Sequence, residues 1–448
     1  MRILFISSFD SYFQNMKLMS ESVKSAGNQA VIFFPREYPN VFSDIEECQI
    51  SNIDYISWVS DAPVQLPTGN EVIKSLKNLF DRLGVLKIWN EIFRIMAIRK
   101  KLKELLTLNK INLMVMGGDI VGHDMAHYIN VGHALAIRSV LAPQWFAGSK
   151  EPAETISHLS EYRAGVNING ALVLIKPRWK FKYGNVTLIR LPAWRMLILS
   201  FFGVNSPNPW VLHSGYSDAI LVESEAAKSY ALNLGIPRSK LIVVGSMSHD
   251  ILYKGLQNLN KLDAPLGRSA LCALPPNMFY DLNPARRGQF TSYEELVKFW
   301  IERIRIAFGS NFLVCIHPSS GEEVGELLKK FNAPYTMEKA INLIPHFDVY
   351  IASISATIQW ALVCGIPVIN YDVYGYNYPD YEGLDGVWTV VSKEDFGNAL
   401  CEISLNDSCY KNLRERQKDG ASDWGHLDGL AHSRIHDALK NIYRNGVR

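Results

Sequence analysis

The chain has 448 residues, of which 48% are hydrophobic and 20% are charged. This composition excludes bulk disorder, and the length predicts two domains, each with its own core. The formal net charge of +2 excludes a nucleic-acid-binding protein that relies on overall electrostatic attraction.

The amino-terminal residues predict the opening of a doubly wound sheet. Residues 1–9 read as a buried strand, residues 16–26 as a helix and residues 30–34 as a second strand. The apolar opening is too short for a signal peptide, so a cytoplasmic protein is expected. The first loop lacks a Gly-x-Gly-x-x-Gly fingerprint, which argues against an NAD site, and no cofactor is predicted.

Residues 72–106 predict a long basic helix. It carries nine Lys and Arg residues, interleaved with apolar side chains that include Trp89 and Phe93. A basic amphipathic helix with a tryptophan can lie on an anionic membrane surface. The alternative, a solvated face above a packed core, is the one that the sequence favours slightly.

A second buried strand, over residues 111–116, ends in Gly117, Gly118 and Asp119. Parallel sheets bind ligands at the carboxyl ends of their strands, and the glycines allow close approach of the backbone. Asp119 is therefore the first candidate for a general base, and Glu151 in the loop 148–151 is the second. Capping of the following helix is the structural alternative for Asp119.

Cations and aromatic rings alternate over residues 176–183, which predicts a strand, with a half-buried hairpin favoured over a carbohydrate-binding surface. The pattern strand, helix, strand then recurs up to Gly245, and residues 251–266 have linker composition. We therefore predict an amino-terminal domain over 1–250, a linker over 251–266 and a second domain over 267–430. Residues 431–448 are predicted to form a helix that packs back on the first domain.

The most informative stretch is 311–375. A buried strand over 312–316 ends at His317-Pro318, and a second strand, 349–352, leads into a helix predicted over 357–364. The hydroxyls of Ser353, Ser355 and Thr357 stand where that helix begins. Free N–H groups and the helix dipole attract anions at such a place, so the pattern predicts a phosphate site. Ordinary helix capping is the structural alternative.

His317-Pro318, the Ser/Thr cluster and the segment ALVCGIPV at 361–368 together resemble the carboxyl-terminal domain of GT-B glycosyltransferases. Within that superfamily they look most like the bacterial sialyl-, polysialyl- and Kdo-type transferases, which use CMP-activated sugars. Similar signatures occur in hydrolysing UDP-N-acetylglucosamine 2-epimerases, whose GD-containing strand the Asp119 segment resembles, and in CDP-glycerol phosphotransferases. Trp360 departs from the pattern, because many GT-B proteins bind the ribose there with an acidic residue.

The resemblance implies an α/β fold of two Rossmann-like domains with the active site in the interdomain cleft. It implies a metal-independent glycosyltransferase of bacterial surface polysaccharide or glycan biosynthesis. The donor would be a CMP- or UDP-linked sugar, with a CMP-activated nonulosonic acid as one candidate. The acceptor would be a glycan or a lipid-linked sugar, which adds a peripheral contact with the inner membrane.

The predicted site follows from the same resemblance. Asp119, Glu151 and His317 are the catalytic candidates, with His317 donating to the leaving phosphate. The predicted nucleotide and phosphate ligands are His317, Pro318, Ser353, Ser355, Thr357, Gln359, Gly245 and Asn277. The sequence contains no Asp-x-Asp pair, and no metal site is predicted. An epimerase of the hydrolysing type and a non-catalytic nucleotide-sugar-binding protein remain the alternatives.

Overall fold

The computed structural model describes residues 1–59, 85–143, 150–166, 168–207, 209–213, 215–258, 267–277, 279, 289–316, 322–378, 381 and 383–445. His317 and Pro318 lie outside the described residues, and of Glu151 only the backbone is described. The chain forms two compact units. Unit 1 comprises Met1–Glu223, Ala227–Val244 and His432–Arg448, and unit 2 comprises Ser224–Ala226 and Gly245–Ala431.

Unit 1 is built on a parallel sheet. Its strands are β1 (Arg2–Ile6), β2 (Gln29–Phe34), β3 (Asp54–Ser57), β4 (Leu113–Met116), β5 (Arg138–Leu141), β8 (Ala219–Val222) and β9 (Leu241–Val243), and β6 (Lys180–Tyr183) pairs separately with β7 (Val186–Ile189) as an antiparallel hairpin. The strand order in the sheet is β3-β2-β1-β4-β5-β8-β9. The side chains of β4 are completely buried, as expected for a strand covered by helices on both faces.

Helices flank this sheet along the first half of the chain. They are α1 (Asp10–Ser25), α2 (Val41–Ile50), α3 (Val85–Leu108), α4 (Met125–Ala134), α5 (Lys150–Ile156), α6 (Asn169–Ile175), α7 (Ala193–Phe201) and α8 (Glu225–Asn233). Leu102 and Leu106 of α3 pack in one apolar cluster with Met114 and Met116 of β4. The buried face of α3 thus repeats at helical spacing, which holds the helix on the sheet.

Unit 2 contains a second parallel sheet. Its strands are β10 (Ala270–Ala273), β11 (Phe312–Cys315), β12 (Tyr335–Thr336), β13 (Val349–Ala352), β14 (Val368–Tyr371) and β15 (Val387–Val390), in the order β12-β11-β10-β13-β14-β15. The helices in the second half of the chain are α9 (Met247–Gln257), α10 (Tyr293–Phe308), α11 (Glu322–Lys330), α12 (Ala340–Leu343), α13 (Ile358–Val363), α14 (Lys393–Leu405), α15 (Asp407–Trp424) and α16 (Ala431–Asn445).

An aromatic cluster forms much of the core of unit 2. The ring of Phe396 lies 4.7 Å from the rings of both Trp300 and Tyr371, measured between centroids. Helix α10, which carries Trp300, begins where the sequence predicts, because Ser292 accepts a hydrogen bond from the N–H of Glu295. A local capping signal and an apolar face thus place the helix without help from distant residues.

Helix α16 packs in unit 1 although it is the last element of the chain. Arg434 donates to the carbonyl of Val244 over 2.9 Å, and Asn28 lies 3.0 Å from the imidazole of His436. The sequence predicts a linker over 251–266, but residues 247–257 form helix α9. The first part of the predicted linker is therefore helical. Among the described residues, no helix combines the length and the hydropathy needed to cross a bilayer.

Both sheets reverse their winding direction at one point. In unit 1 this switch point lies between β1 and β4, and in unit 2 it lies between β10 and β13. A crevice opens outside the carboxyl ends of the strands at such a point, because the two connections leave on opposite faces of the sheet. Asp119 follows β4 and Ser353 follows β13, so each borders the switch point of its own unit.

Strand order corrects one expectation. A phosphate site shared by His317 and the hydroxyl cluster predicts that the strands leading to them are neighbours, but β10 pairs with both β11 and β13 and lies between them. The central position of β10 follows from the winding, which starts at this strand and extends to either side. Two strand spacings, about 10 Å, therefore separate the ends of β11 and β13.

Candidate active site

A chain of hydroxyl groups follows β13 in unit 2. The hydroxyl oxygens of Ser355 and Thr357 lie 2.7 Å apart, and those of Thr357 and Tyr350 lie 2.5 Å apart. Tyr350 is buried within β13, and burial raises the pKa of its phenol, so the group keeps its proton at neutral pH. The predicted Ser/Thr cluster is therefore assembled around a tyrosine that sequence reasoning did not single out.

The direction of these hydrogen bonds matters for ligand binding. The oxygen of Ser355 also accepts from the backbone N–H of Thr357 over 3.3 Å. If Tyr350 donates to Thr357 and Thr357 donates to Ser355, the proton of Ser355 remains for an external acceptor. The hydroxyl of Ser353, buried beside this chain, has no hydrogen-bond partner among the described residues. In this arrangement the hydroxyl proton of Ser355 is left for an anion, whereas the hydroxyl of Ser353 is enclosed by protein atoms.

Ile354, between these serines, has a strained backbone. Its φ angle is +45°, which a β-branched residue rarely adopts and which costs about 1–3 kcal/mol. The side-chain oxygen of Asn370 on β14 accepts from the N–H of Ile354 over 2.8 Å, and this bond helps to hold the conformation. The strain turns the chain sharply between Ser353 and Ser355. Thr357 makes no side-chain bond to α13, but the Ser355 oxygen accepts from the N–H of Thr357 as a capping serine does, so the capping alternative holds for Ser355.

The other predicted nucleotide ligands are distributed unevenly. Asn277 follows β10, the strand that pairs with β13, and its side chain accepts from the N–H of Phe279. Gln359 is buried in the first turn of α13. Gly245, with φ +84°, precedes α9, a helix whose Leu252 packs against Val363 of α13. Gly245 thus lies between the carboxyl end of β9 and the start of α9.

An aromatic loop follows β14. Asp372 is buried and accepts from the N–H groups of Tyr376 and Asn377. The rings of Tyr376 and Tyr378 are stacked with centroids 5.2 Å apart, and the hydroxyl of Tyr374 donates to the carbonyl of Pro276. The loop after β14 is therefore tied to the loop after β10, and the rings of Tyr376 and Tyr378 are half-buried.

Asp119 in unit 1 is completely buried at the carboxyl end of β4. Its Oδ2 accepts from the backbone N–H groups of Tyr216 and Ser217, at 2.8 and 3.1 Å. These bonds fix the segment that leads into β8. They replace the expected structural alternative, capping of the following helix, because the partners lie 97 and 98 residues further along the chain.

A cationic and aromatic cluster lies at the same edge of the sheet. The guanidinium of Arg36 stacks 4.0 Å above the ring of Phe9 and donates to the carbonyl of Ser8. The imidazole of His123 meets the same ring edge-on, with centroids 5.5 Å apart. Burial, followed by Arg36 and Arg190, lowers the pKa of His123 to about 4, so the imidazole is neutral at pH 7. A neutral base beside two cations suits an anionic or hydroxylated ligand.

Three histidines, His127 and His213 buried and His123 half-buried, make the stability of unit 1 dependent on pH. Burial lowers the pKa values of His123 and His127 to about 4 and that of His213 to about 3, from an ordinary value of 6.5. The unfolded chain therefore binds protons first as the pH falls. The free energy of unfolding should be greatest above pH 6.5 and should fall between pH 6.5 and 4, by at most about 1.4 kcal/mol per pH unit for each histidine.

Urea titrations at pH 7 and pH 5 test this expectation. His127→Gln should make the decline shallower, whereas replacement of the exposed His158 by Gln should leave it unchanged. An equal decline in all three proteins would exclude His127 as a source of the pH dependence.

Sequence reasoning missed several residues of both sites. Tyr350 reads as one more apolar strand residue, and nothing in its neighbourhood marks its hydroxyl. Arg36 carries a usable signal, because it follows the end of β2 by two residues. Arg190 has no such signal, since it comes from the end of the hairpin strand β7, far from β4 in sequence.

No protein-family model matches the sequence, and no curated protein sequence matches it. Solved structures do match. A UDP-N-acetylglucosamine 2-epimerase from Neisseria meningitidis, bound to UDP-GlcNAc, has a TM-score of 0.54 and 12% identity, covering 98% of this chain and 100% of that chain. The calicheamicin glycosyltransferase CalG4 has a TM-score of 0.54 and 12% identity over 99% of both chains. MurG from Acinetobacter baumannii has a TM-score of 0.51 and 10% identity, covering 98% and 99%.

At these identities the likenesses show the fold alone. Together with the two parallel sheets, they confirm the predicted GT-B architecture of two Rossmann-like domains.

Proposed function

We propose that the protein is a glycosyltransferase that transfers a sugar from a nucleotide-sugar donor to a glycan or lipid-linked acceptor. Unit 2 would bind the donor and unit 1 the acceptor. The proposal places the enzyme in the cytoplasm, in the synthesis of a bacterial surface polysaccharide or glycan. No metal or cofactor is part of it.

The observation that carries the proposal is the hydroxyl chain at the switch point of unit 2. Ser355 has a proton to donate once Tyr350 and Thr357 have donated to their neighbours, and the buried oxygen of Ser353 has no partner among the described residues. Hydrogen bonds from such groups to a phosphate are charge-assisted and therefore strong. His317 and Pro318, which follow β11 in the sequence and lie outside the described residues, remain proposed ligands of the same phosphate.

The reaction would proceed by attack of an acceptor hydroxyl oxygen on the anomeric carbon of the donor sugar. A C–O bond forms as the bond between the sugar and the nucleotide phosphate breaks, and the electron pair leaves with the phosphate. The hydroxyl donors of unit 2 would stabilise the charge that develops there, which assists departure of the nucleotide. A general base takes the proton of the acceptor hydroxyl.

Asp119, Glu151 and His123 are the proposed candidates for this base. Asp119 is buried and already accepts two backbone hydrogen bonds, which supports a positioning role. His123 is half-buried and neutral and lies close to Arg36. If an anionic group of the acceptor bound beside Arg36 and Arg190, it would offset their effect and raise the pKa of His123 towards neutrality. These points favour His123 as the proton acceptor and Asp119 as a residue that positions its surroundings.

A second candidate function is epimerisation of UDP-N-acetylglucosamine. The similarity to the Neisseria meningitidis enzyme over the whole chain favours it, as does the GD-containing strand at Asp119. The His-Pro and Ser/Thr motifs resemble those of the sialyl-, polysialyl- and Kdo-type transferases, which favours a CMP-linked donor instead. Incubation with UDP-GlcNAc and with CMP-linked nonulosonic acids, followed by product analysis, separates the two. Binding without turnover of any donor would indicate a binding protein.

Nucleotide titrations test the proposed donor site. Ser355→Ala should weaken the binding of the preferred nucleotide, CMP or UDP, by about 10- to 100-fold, since it removes a hydrogen bond to a charged group. Tyr350→Phe should have a smaller effect, because Thr357 can still donate to Ser355. Calorimetry of both variants measures this order.

Ser269→Ala is a matched control. Its hydroxyl also lies next to a strand of the same sheet, but at the amino end of β10, where it donates to Asp348. Nucleotide affinity should not change in this variant. Equal nucleotide affinities of Ser355→Ala and the wild-type protein would show that the hydroxyl chain does not bind the nucleotide.

A further inference from the structure

Arginine side chains gather around His123 in unit 1. Arg36 and His123 contact the same ring, that of Phe9, with the guanidinium 4.0 Å above the ring and the imidazole edge-on at 5.5 Å. Arg195 of α7 donates to the carbonyl of Gly122, the residue before His123, over 2.8 Å. Two guanidinium groups, one from the end of β2 and one from α7, therefore reach the segment that holds the imidazole.

Arg190 brings a third guanidinium to the same place. It follows β7 directly, and its neighbour Leu191 packs so closely on Gly122 that a β-carbon on the glycine would lie 2.9 Å from the leucine side chain. Burial and the charges of all three arginines lower the pKa of His123 to about 4. Burial lowers the pKa of Arg190, and the like charge of Arg195 adds to this effect. The three guanidinium groups are thus close to one another, and we call these residues the arginine cluster.

Most hydrogen-bond donors of the arginine cluster are unused. A guanidinium carries five N–H donors, but within the described part of the chain each of the three donates only to backbone carbonyls, those of Ser8, Pro209 and Gly122. Two members of the cluster, Arg190 and Arg195, are half-buried. Cations that are partly removed from water and crowded together without an acid raise the free energy of the folded chain, and a bound anion would offset this cost.

The acidic groups of this region have other partners. Both carboxylate oxygens of Asp124 bind Arg94, at 2.8 and 2.9 Å, and Oδ2 of Asp119 accepts from backbone N–H groups. From residue 162 to residue 217, the stretch that supplies two members of the cluster, the sequence contains no Asp or Glu but seven Lys and Arg residues. No acidic side chain among the described residues therefore forms an ion pair with the arginine cluster.

We propose that the arginine cluster binds a phosphate group carried by the acceptor. Each guanidinium is a planar fork that can donate two parallel hydrogen bonds to an oxyanion, and a terminal phosphate offers three oxygens to the three forks. A carboxylate offers only two oxygens. The inference deepens the proposed function and rests on it in one respect, because the phosphate is assigned to the acceptor on the ground that the cluster surrounds His123, the proposed base.

A phosphate bound in the arginine cluster would also act on His123. Its negative charge would offset the cations that hold the pKa of the imidazole low, and the pKa would rise. A stronger base would then be present only when the phosphorylated acceptor is bound. The cluster would therefore contribute to the choice of acceptor through the rate as well as through affinity.

Titrations with inorganic pyrophosphate test the proposal, with CMP or UDP present throughout to fill the donor site of unit 2. The wild-type protein should bind pyrophosphate, with an affinity that falls as salt is added. Arg36→Gln and Arg190→Gln should each weaken binding by about tenfold or more, because each removes hydrogen bonds to a charged group. Arg190→Lys, which keeps the charge but loses the fork, should weaken binding less than Arg190→Gln.

A second readout reports directly on the cluster. The imidazole NMR signal that is missing in His123→Gln identifies His123, and pyrophosphate should raise the pKa read from this signal. The matched control is Arg238→Gln, which replaces an exposed arginine of unit 1 just before β9, at the amino end of that strand. Pyrophosphate affinity should not change in this variant. No pyrophosphate binding by the wild-type protein, or an equal loss in Arg238→Gln and Arg190→Gln, would overturn the proposal.

Further anions define the group and its source. Glucuronate, a carboxylate, should bind at least tenfold more weakly than pyrophosphate, and equal affinities would overturn the assignment to a phosphate. Tighter binding of glucose 6-phosphate than of inorganic phosphate would identify the source as a phosphorylated sugar. Tighter binding of geranyl diphosphate than of pyrophosphate would identify it as a lipid diphosphate. In either case the gain should disappear in Arg190→Gln.

Failure of the proposal is separable from failure of the proposed function. If the protein transfers sugar with the same kcat/KM to acceptors with and without a phosphate, and Arg190→Gln changes neither value, the arginine cluster is not part of the acceptor site and the transferase stands. If pyrophosphate binds and the arginine variants lose it, but no donor supports transfer, the anion site stands and the proposed function fails.

Discussion

His123→Gln is expected to reduce the rate of sugar transfer by about 10²- to 10⁴-fold, the usual contribution of a general base. Glutamine keeps a polar side chain of similar size but cannot take up the proton of the acceptor hydroxyl. The affinity for the donor nucleotide should remain within twofold, roughly the precision of such comparisons, because that site is in the other unit. Steady-state kinetics with calorimetry of nucleotide binding measures both effects.

The pH profile adds a readout that a structural role would not affect. Burial, followed by Arg36 and Arg190, lowers the pKa of His123 in the free protein to about 4. The acid limb of kcat/KM should therefore fall near pH 4, and the acid limb of kcat should lie at higher pH when a bound anionic acceptor offsets the two cations. The pH profiles of kcat/KM and kcat for the residual activity of His123→Gln should show neither acid limb.

Asp119→Asn provides the comparison. If Asp119 positions the segment before β8, asparagine should lower the free energy of unfolding by about 1.5–3 kcal/mol, because the bonds to Tyr216 and Ser217 lose their charged acceptor. If Asp119 is the base, the rate should fall as far as in His123→Gln without loss of stability. If His123→Gln is fully active and Asp119→Asn is stable but inactive, Asp119 is the general base instead of His123.

Gly117→Ala is expected to destabilise the folded chain by about 1–3 kcal/mol or more through overpacking at the end of β4. A β-carbon at this position would lie 2.5 Å from ring atoms of Tyr12. That ring is buried and in edge contact with Phe9, so it has little room to move. Displacement of Tyr12 would also disturb Phe9, on which Arg36 and His123 pack, and transfer activity should fall with stability.

Gly165→Ala is the matched control for this substitution. A β-carbon there meets no atom within 4 Å, and the residue is exposed in unit 1. Its urea midpoint should match that of the wild-type protein. Wild-type stability of Gly117→Ala would show that the Tyr12 ring can shift freely and that close packing does not restrict this strand end.

Much of the fold follows from local signals. The strands β4 and β13 are short apolar runs that only a sheet covered on both faces can bury, and α10 has an apolar face and a serine cap. The Ser353–Thr357 cluster was predictable for the same reason, since strand, turn and helix are contiguous there. Such signals involve residues only a few positions apart, so they can be recognised in the sequence.

The sequence by itself determined the α/β class, the parallel sheets and the presence of hydroxyl groups where β13 ends. Tertiary structure alone decided that β10 separates β11 from β13, that Asp119 binds backbone 97 residues away and that Tyr350 completes the hydroxyl chain. It also decided that Trp89, Phe93 and Phe201 face solvent on neighbouring helices. The physical reason is that strand order and exposure depend on which distant segments pack together, and no short stretch of sequence specifies its own partners.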